Sequence, residues 1–172
     1  MRTEKSPIIR YIALRAVPFI QLYALYVLGH GEDGPGGGFQ GGVIFAASFV
    51  LTALVFGYGK GREDAPEKIT DLLAPTGCIL YAGIGLICLL MGGAFLEYSQ
   101  LAGEGASEST KLAARHFGLI GIEAGVMITV TASMITLFFE MARDAHVDYG
   151  QDAEPADRFA DDRPAEEEDA DA

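Results

Sequence analysis

The stretch FGLIGIEAGVMITVTASMITLFF, residues 117–139, decides the fold. Crossing a hydrocarbon core takes about 20 residues of helix, with a range near 17–25. This run meets that length with one ionisable side chain, Glu123. Three further apolar runs, Ile8–Leu28, Phe39–Phe56 and Leu72–Leu96, have comparable length and almost no polar face. Lipid cannot satisfy backbone polar groups, so each run has to close its own hydrogen bonds as an α-helix. The predicted fold class is all-α, a polytopic membrane protein with four transmembrane helices.

Charge separates this apolar body from the carboxyl end. Half of the 172 residues are hydrophobic, yet the formal net charge is −12. From Asp144 to Ala172 there are twelve acidic residues against two arginines, a contribution of −10 that leaves about −2 for the rest. Residues 1–143 therefore read as a membrane domain and 144–172 as a disordered acidic tail, too polar to offset its ordering entropy. That charge argues against nucleic acid as a partner. Cys78 and Cys88 stand ten residues apart inside one apolar run, a spacing that suits burial and neither redox nor metal chemistry. No secretory signal peptide is expected, because the first apolar run is too long, carries arginines and lacks a small-residue cleavage site.

Lys and Arg set the expected direction. Arg2, Lys5, Arg10 and Arg15 precede or enter the first span, Lys60, Arg62 and Lys68 follow the second, and Arg143 follows the fourth. The connection 29–38 has no Lys or Arg, and the third connection has only Lys111 and Arg115. Both termini are thus expected in the cytoplasm. Arg15 falls within the inner leaflet and is expected to snorkel or meet a partner. Pro18 removes a backbone donor from the first helix and is expected to kink it.

The connection between the first two spans, His30 to Gly42, holds seven glycines among thirteen residues. Gly36, Gly38 and Gly41 satisfy G-x-G-x-x-G, but no βαβ unit fits between two membrane helices. Gly38, Gly42 and Ala46 lie four apart, as do Gly37 and Gly41, a spacing that lets membrane helices pack backbone to backbone. Phe39 and Gln40 are the large side chains of the run and are expected to make its specific contacts. In the fourth span Gly121 and Gly125 flank Glu123 and are expected to bring another helix close. An intramembrane carboxylate costs several kcal/mol unless it is paired, protonated or facing a hydrated cavity. Glu123 is accordingly a candidate proton or cation relay, with a structural interhelical hydrogen bond as the alternative. His30, Arg115 and His116 are its candidate electrostatic neighbours, and Thr129, Thr131, Ser133 and Thr136 lie further along the helix.

Pro35-Gly-Gly-Gly-Phe-Gln-Gly-Gly42, preceded by His30-Gly31, resembles the signature of the B-type subunits of the Mrp-type (multisubunit) sodium/proton antiporter family. Gly121-Ile-Glu-Ala-Gly-Val-Met-Ile-Thr-Val-Thr131 extends the resemblance, which covers most of Ile8–Ala142. Glu32–Asp33 departs from the family, whose stretch there is commonly less acidic, and the acidic tail lies outside it. The resemblance implies a small subunit of an antiporter exchanging Na⁺ for H⁺ across a bacterial or archaeal cytoplasmic membrane. Large ion-pumping subunits would be its partners, and no cofactor or metal is implied. Residues alone also leave open an equivalent subunit of an energy-converting hydrogenase or related redox-coupled complex, and a purely structural scaffold. No enzyme site is visible.

Overall fold

A computed structural model describes residues 7–31, 34, 36–103 and 105–151, with side chains described as far as Arg143. The helices are α1 (Pro7–Gly29), α2 (Gly38–Phe56), α3 (Tyr58–Asp64), α4 (Glu67–Leu90) and α5 (Glu108–Gln151), with a short 3-10 helix at Tyr98–Ala102. Among the described residues α1, α2, α4 and the Glu108–Arg143 part of α5 are long and apolar enough to cross a membrane. The chain divides into two compact units, Met1–Phe139 and Glu140–Ala172. The described part of the second is the end of α5, where Arg143 pairs with Glu140. Helical backbone thus continues to Gln151, into the stretch read from composition as disordered tail, and 152–172 lie outside the described residues.

The third membrane helix occupies Glu67–Leu90 and not 72–96. Pro66 takes the cap position at its start, so the charged residues Glu67, Lys68 and Asp71 belong to its first turns. At its end the Gly92 N–H reaches the Leu89 carbonyl at 3.1 Å and the Gly93 N–H reaches Cys88 at 3.2 Å. That is a Schellman stop, with Gly92 at φ +87°. Hydropathy averaged over Met91–Leu96 cannot register it. The fourth helix starts at Glu108, before the expected Phe117, because the Ser107 hydroxyl accepts the Thr110 N–H at 3.3 Å.

Small residues fill most buried positions of this bundle, with Met127, Ile135 and Phe139 as exceptions, and many large apolar ones are outside. Ala24, Ala46, Ala53, Ala132, Ser48 and Thr52 are buried, whereas Phe19, Leu72, Ile79 and Leu90 face outward with relative exposures of 71, 69, 70 and 78%. A water-soluble protein would bury the large side chains. In lipid, apolar side chains gain nothing by turning inward, and small residues let the backbones close.

Helices α2 and α5 run parallel, with Gly42 against the Met127 carbonyl and Val130. Helix α1 packs on α2 where Gly41 faces the Ala24 carbonyl. Helices α4 and α5 run antiparallel and cross at Gly77 and Gly125. A Cβ on Gly125 would stand 2.9 Å from the Gly77 carbonyl, and one on Gly77 would collide with Thr129 and the Gly125 carbonyl. Short α3 folds back on α2 through Gly57 (φ +101°) and seats Gly61 on Ala53 and Phe139. Ala46, Ala53, Ala65, Ile135 and Phe139 form the core at that end.

Side-chain hydrogen bonds tie these contacts. Thr129 donates to the Ala74 carbonyl of α4 at 3.1 Å, Thr131 donates to the Gly42 carbonyl of α2 at 3.1 Å, and Gln21 of α1 donates to Ser48 of α2 at 3.1 Å. The two threonines therefore bond to neighbouring helices, not back to α5, and do not form one hydroxyl path along it. Interhelical bonds of this kind average about 0.6 kcal/mol in membranes. Cys88 is buried as expected, but Cys78 is exposed on α4, its Sγ 3.8 Å from Thr129 Oγ1. Gly77→Ala is expected to cost about 1–3 kcal/mol, since backbone blocks the added methyl. Gly83→Ala, with open space around it, should stay within about 0.5 kcal/mol of the parent. Thermal unfolding of both variants in mild detergent checks the contrast.

Candidate functional site

The α1–α2 turn and the middle of α5 meet at Glu123. A Cβ on Gly31 would collide with both Glu123 carboxylate oxygens, and one on Gly37 would lie 3.1 Å from Oε1. A Cβ on Gly38 would overlap the Glu123 main-chain carbonyl. The carboxylate is thus held in a cradle of backbone that exists because Gly31, Gly37 and Gly38 have no side chains. Gly37 also adopts φ +121°, which ordinary residues avoid. The chain enters α2 there without a side-chain cap.

Glu123 lies about 22 Å along α5 from its start at Glu108, at 1.5 Å per residue, and the glycine turn stands level with it. Glu123 is half-buried. Such a carboxylate can accept or release a proton, or hold a small cation, while its surroundings stay fixed.

Of the motif residues, Gly37, Gly38, Gly41 and Gly42 are buried, and Gly36 is exposed. Pro35, with Glu32 and Asp33, lies outside the described residues. Phe39 and Gln40 point away from the bundle, Phe39 with 62% exposure. Gly125 forms the α4 crossing, while Gly121 faces Ile84 of α4, whose Cδ1 would stand 2.8 Å from a Cβ added there.

The candidate neighbours separate. His30 is exposed beside Gly31, stacked on Tyr26 with ring centroids 4.1 Å apart and Nδ1 3.2 Å from the Tyr26 carbonyl. Arg115 and His116 lie about 10–12 Å from Glu123 along α5. Arg115 lines a polar cleft of about 450 Å³ with Glu97, Glu108 and Lys111, and His116 meets Phe117 edge-on. In the 3-10 helix the Tyr98 hydroxyl is pushed up from its usual pKa, by burial first and then by Tyr81 and Cys88. Arg15 stacks over Tyr11 at 5.1 Å on its own helix, some 24 Å of helix away from Gly31. Sequence reasoning passes over Gln21; a lone amide in the middle of an apolar span is the signal that marks it. Among the described residues no group of three or more His, Cys, Asp or Glu side chains gathers to hold a metal ion.

Residues 8–143 match the family model described as "Domain related to MnhB subunit of Na+/H+ antiporter". The chain belongs to that family. A relative from Staphylococcus haemolyticus, named "Putative antiporter subunit mnhB2", is 26% identical over 148 residues, 81% of this chain and 96% of the relative. Its counterpart in Staphylococcus aureus strain Newman is 26% identical over 135 residues, 76% of this chain and 95% of that protein. An uncharacterised protein of Methanocaldococcus jannaschii is 35% identical over 98 residues, covering 54% of this chain and 35% of the longer relative. With its four apolar helices, this MnhB-family chain is a membrane protein, an antiporter-subunit homologue and a transport component by kinship.

The cradle predicts coupling between the turn and the acid. Gly31→Ala should destabilise by about 1–3 kcal/mol with Glu123 present, and by less in a Glu123→Ala background, where only the Gly37 Cα, 2.8 Å from the added methyl, still crowds it. A double-mutant cycle on thermal unfolding reads the difference; additive effects would contradict the contact.

Proposed function

We propose that this chain is the B-type membrane subunit of a multisubunit antiporter that exchanges cytoplasmic Na⁺ for external H⁺. Its termini lie in the cytoplasm, and it packs against larger ion-pumping subunits in the cytoplasmic membrane of a bacterium or archaeon. The observation that carries this reading is the enclosure of Glu123 by Gly31, Gly37 and Gly38. A bundle held together by small residues has no need of a carboxylate at that depth, where a charge is expensive. Fixing it between two helices and a turn suits a proton or cation relay on the external half of a route completed by partner subunits. The Lys and Arg distribution supports that direction.

Four helices make a poor transporter alone, since alternating access generally uses larger repeated bundles. Phe39 and Gln40 supply an exposed pair beside the relay, and they form the contact to a partner subunit in this reading. Arg115 and His116 stand on the external approach, with His30 at the turn itself.

Two measurements test this. Glu123→Gln should leave the complex intact on affinity purification in mild detergent while lowering antiport in membrane vesicles by about tenfold or more. Unchanged antiport across the pH range would make the acid structural. Phe39→Ala with Gln40→Ala should reduce recovery of co-purifying subunits without unfolding the chain. If the parent instead recovers iron–sulfur or hydrogenase-like subunits, the redox-coupled alternative replaces the antiporter.

A further inference from the structure

Helices α2 and α4 both pack on α5 and leave a half-open groove between them, lined also by Leu25 and Leu28 of α1 and bordered at one end by the α3–α4 connection. It encloses about 390 Å³ and is lined by apolar side chains with few exceptions. Its floor follows one face of α5 from Ala124 through Ile128 to Ile135, and its walls include Phe49 of α2 and Leu73 of α4. That floor is about 16 Å long at 1.5 Å per residue. An acyl chain can lie along that floor.

The end at the α3–α4 connection adds chemistry. Pro66 lines the groove and also a neighbouring polar cleft formed with Tyr58, Arg62, Glu67, Lys68 and Asp71. Arg62 is half-buried, its guanidinium carbon 4.3 Å over the Phe139 ring, which holds it in place beside the cleft. Two cations and two carboxylates around one cleft match a headgroup carrying both a phosphate and an ammonium. We propose that this groove and cleft form one lipid site, holding an amine-bearing phospholipid with an acyl chain along α5 and its headgroup among Arg62, Lys68, Glu67 and Asp71. The bound lipid would substitute for the contacts that α2 and α4 do not make with each other.

The chain contains no tryptophan, so a single introduced one reports on its own surroundings. Phe49→Trp places it in the groove wall and Leu90→Trp on the outer surface. The full chain, in phosphatidylcholine vesicles, is titrated with phosphatidylethanolamine brominated in its acyl chains. Half-maximal quenching of the groove tryptophan is expected at about a tenfold lower fraction of brominated lipid than for the surface one. Adding Arg62→Gln and Lys68→Gln should bring the two curves together. Coincident curves in the parent would overturn the site, and separation that survives the double change would overturn the headgroup contact. In the assembled complex, a benzophenone amino acid in place of Leu73 should capture phospholipid; capture of polypeptide instead would overturn the proposal.

Discussion

The close approach of the glycine backbone to Glu123 is the contact on which this structure turns. Two helices can meet this closely where one of them carries no side chain at the contact, and Gly38 and Gly42 clear that space on α2. Once the Glu123 main-chain carbonyl occupies the Cβ position of Gly38, the register of α2 on α5 is set for the rest of their length. Gly42 then faces Met127, Thr131 reaches the Gly42 carbonyl, and Phe139 closes the far end under α3. The acid is held by the contact that sets the register. It cannot shift without moving α2.

Helix α4 joins the same scaffold by the same means from the other side, through Gly77 and Gly125. Since α5 receives the glycines of α2 along Glu123 and Met127 and presents Gly125 to α4 on another side, it acts as the axis of the bundle. The two flanking helices then stand apart and leave the apolar groove between them. Large side chains are displaced outward, where lipid or neighbouring subunits meet them. This inversion is what a membrane solvent dictates, because van der Waals packing drives association when the hydrophobic effect does not.

Much of this is legible in the residues. Four apolar runs with no polar face force four helices, and the four-residue spacing of Gly38 and Gly42 announces a backbone contact. What cannot be read is the partner of each contact. Glycine spacing marks a face without saying what meets it, so the meeting of Gly31 and Gly37 with Glu123 emerges only in three dimensions. Phe39 and Gln40 stand on the exposed side of α2, because a helix that buries its glycine face must turn its bulky face away. Hydropathy misplaces the end of α4 because Met91–Leu96 is apolar while Gly92–Gly93 stops the helix through hydrogen bonds, which hydropathy does not see. Hydroxyls on a membrane helix ordinarily bond to their own backbone; here the glycine contacts bring foreign carbonyls within closer reach of Thr129 and Thr131.

The proposed relay role rests on kinship with the MnhB family and on the enclosed carboxylate, whose cradle would supply what a relay needs: a group that changes its proton or cation while its surroundings hold still. The most direct measurement is modification of Glu123 by a hydrophobic carbodiimide in the membrane-embedded complex, mapped by mass spectrometry. The reagent attacks protonated carboxyls in apolar surroundings. The account predicts that labelling falls as pH rises and falls further when Na⁺ is added at constant pH. Labelling indifferent to both would contradict a role for this acid in exchange and leave the cradle as a structural joint.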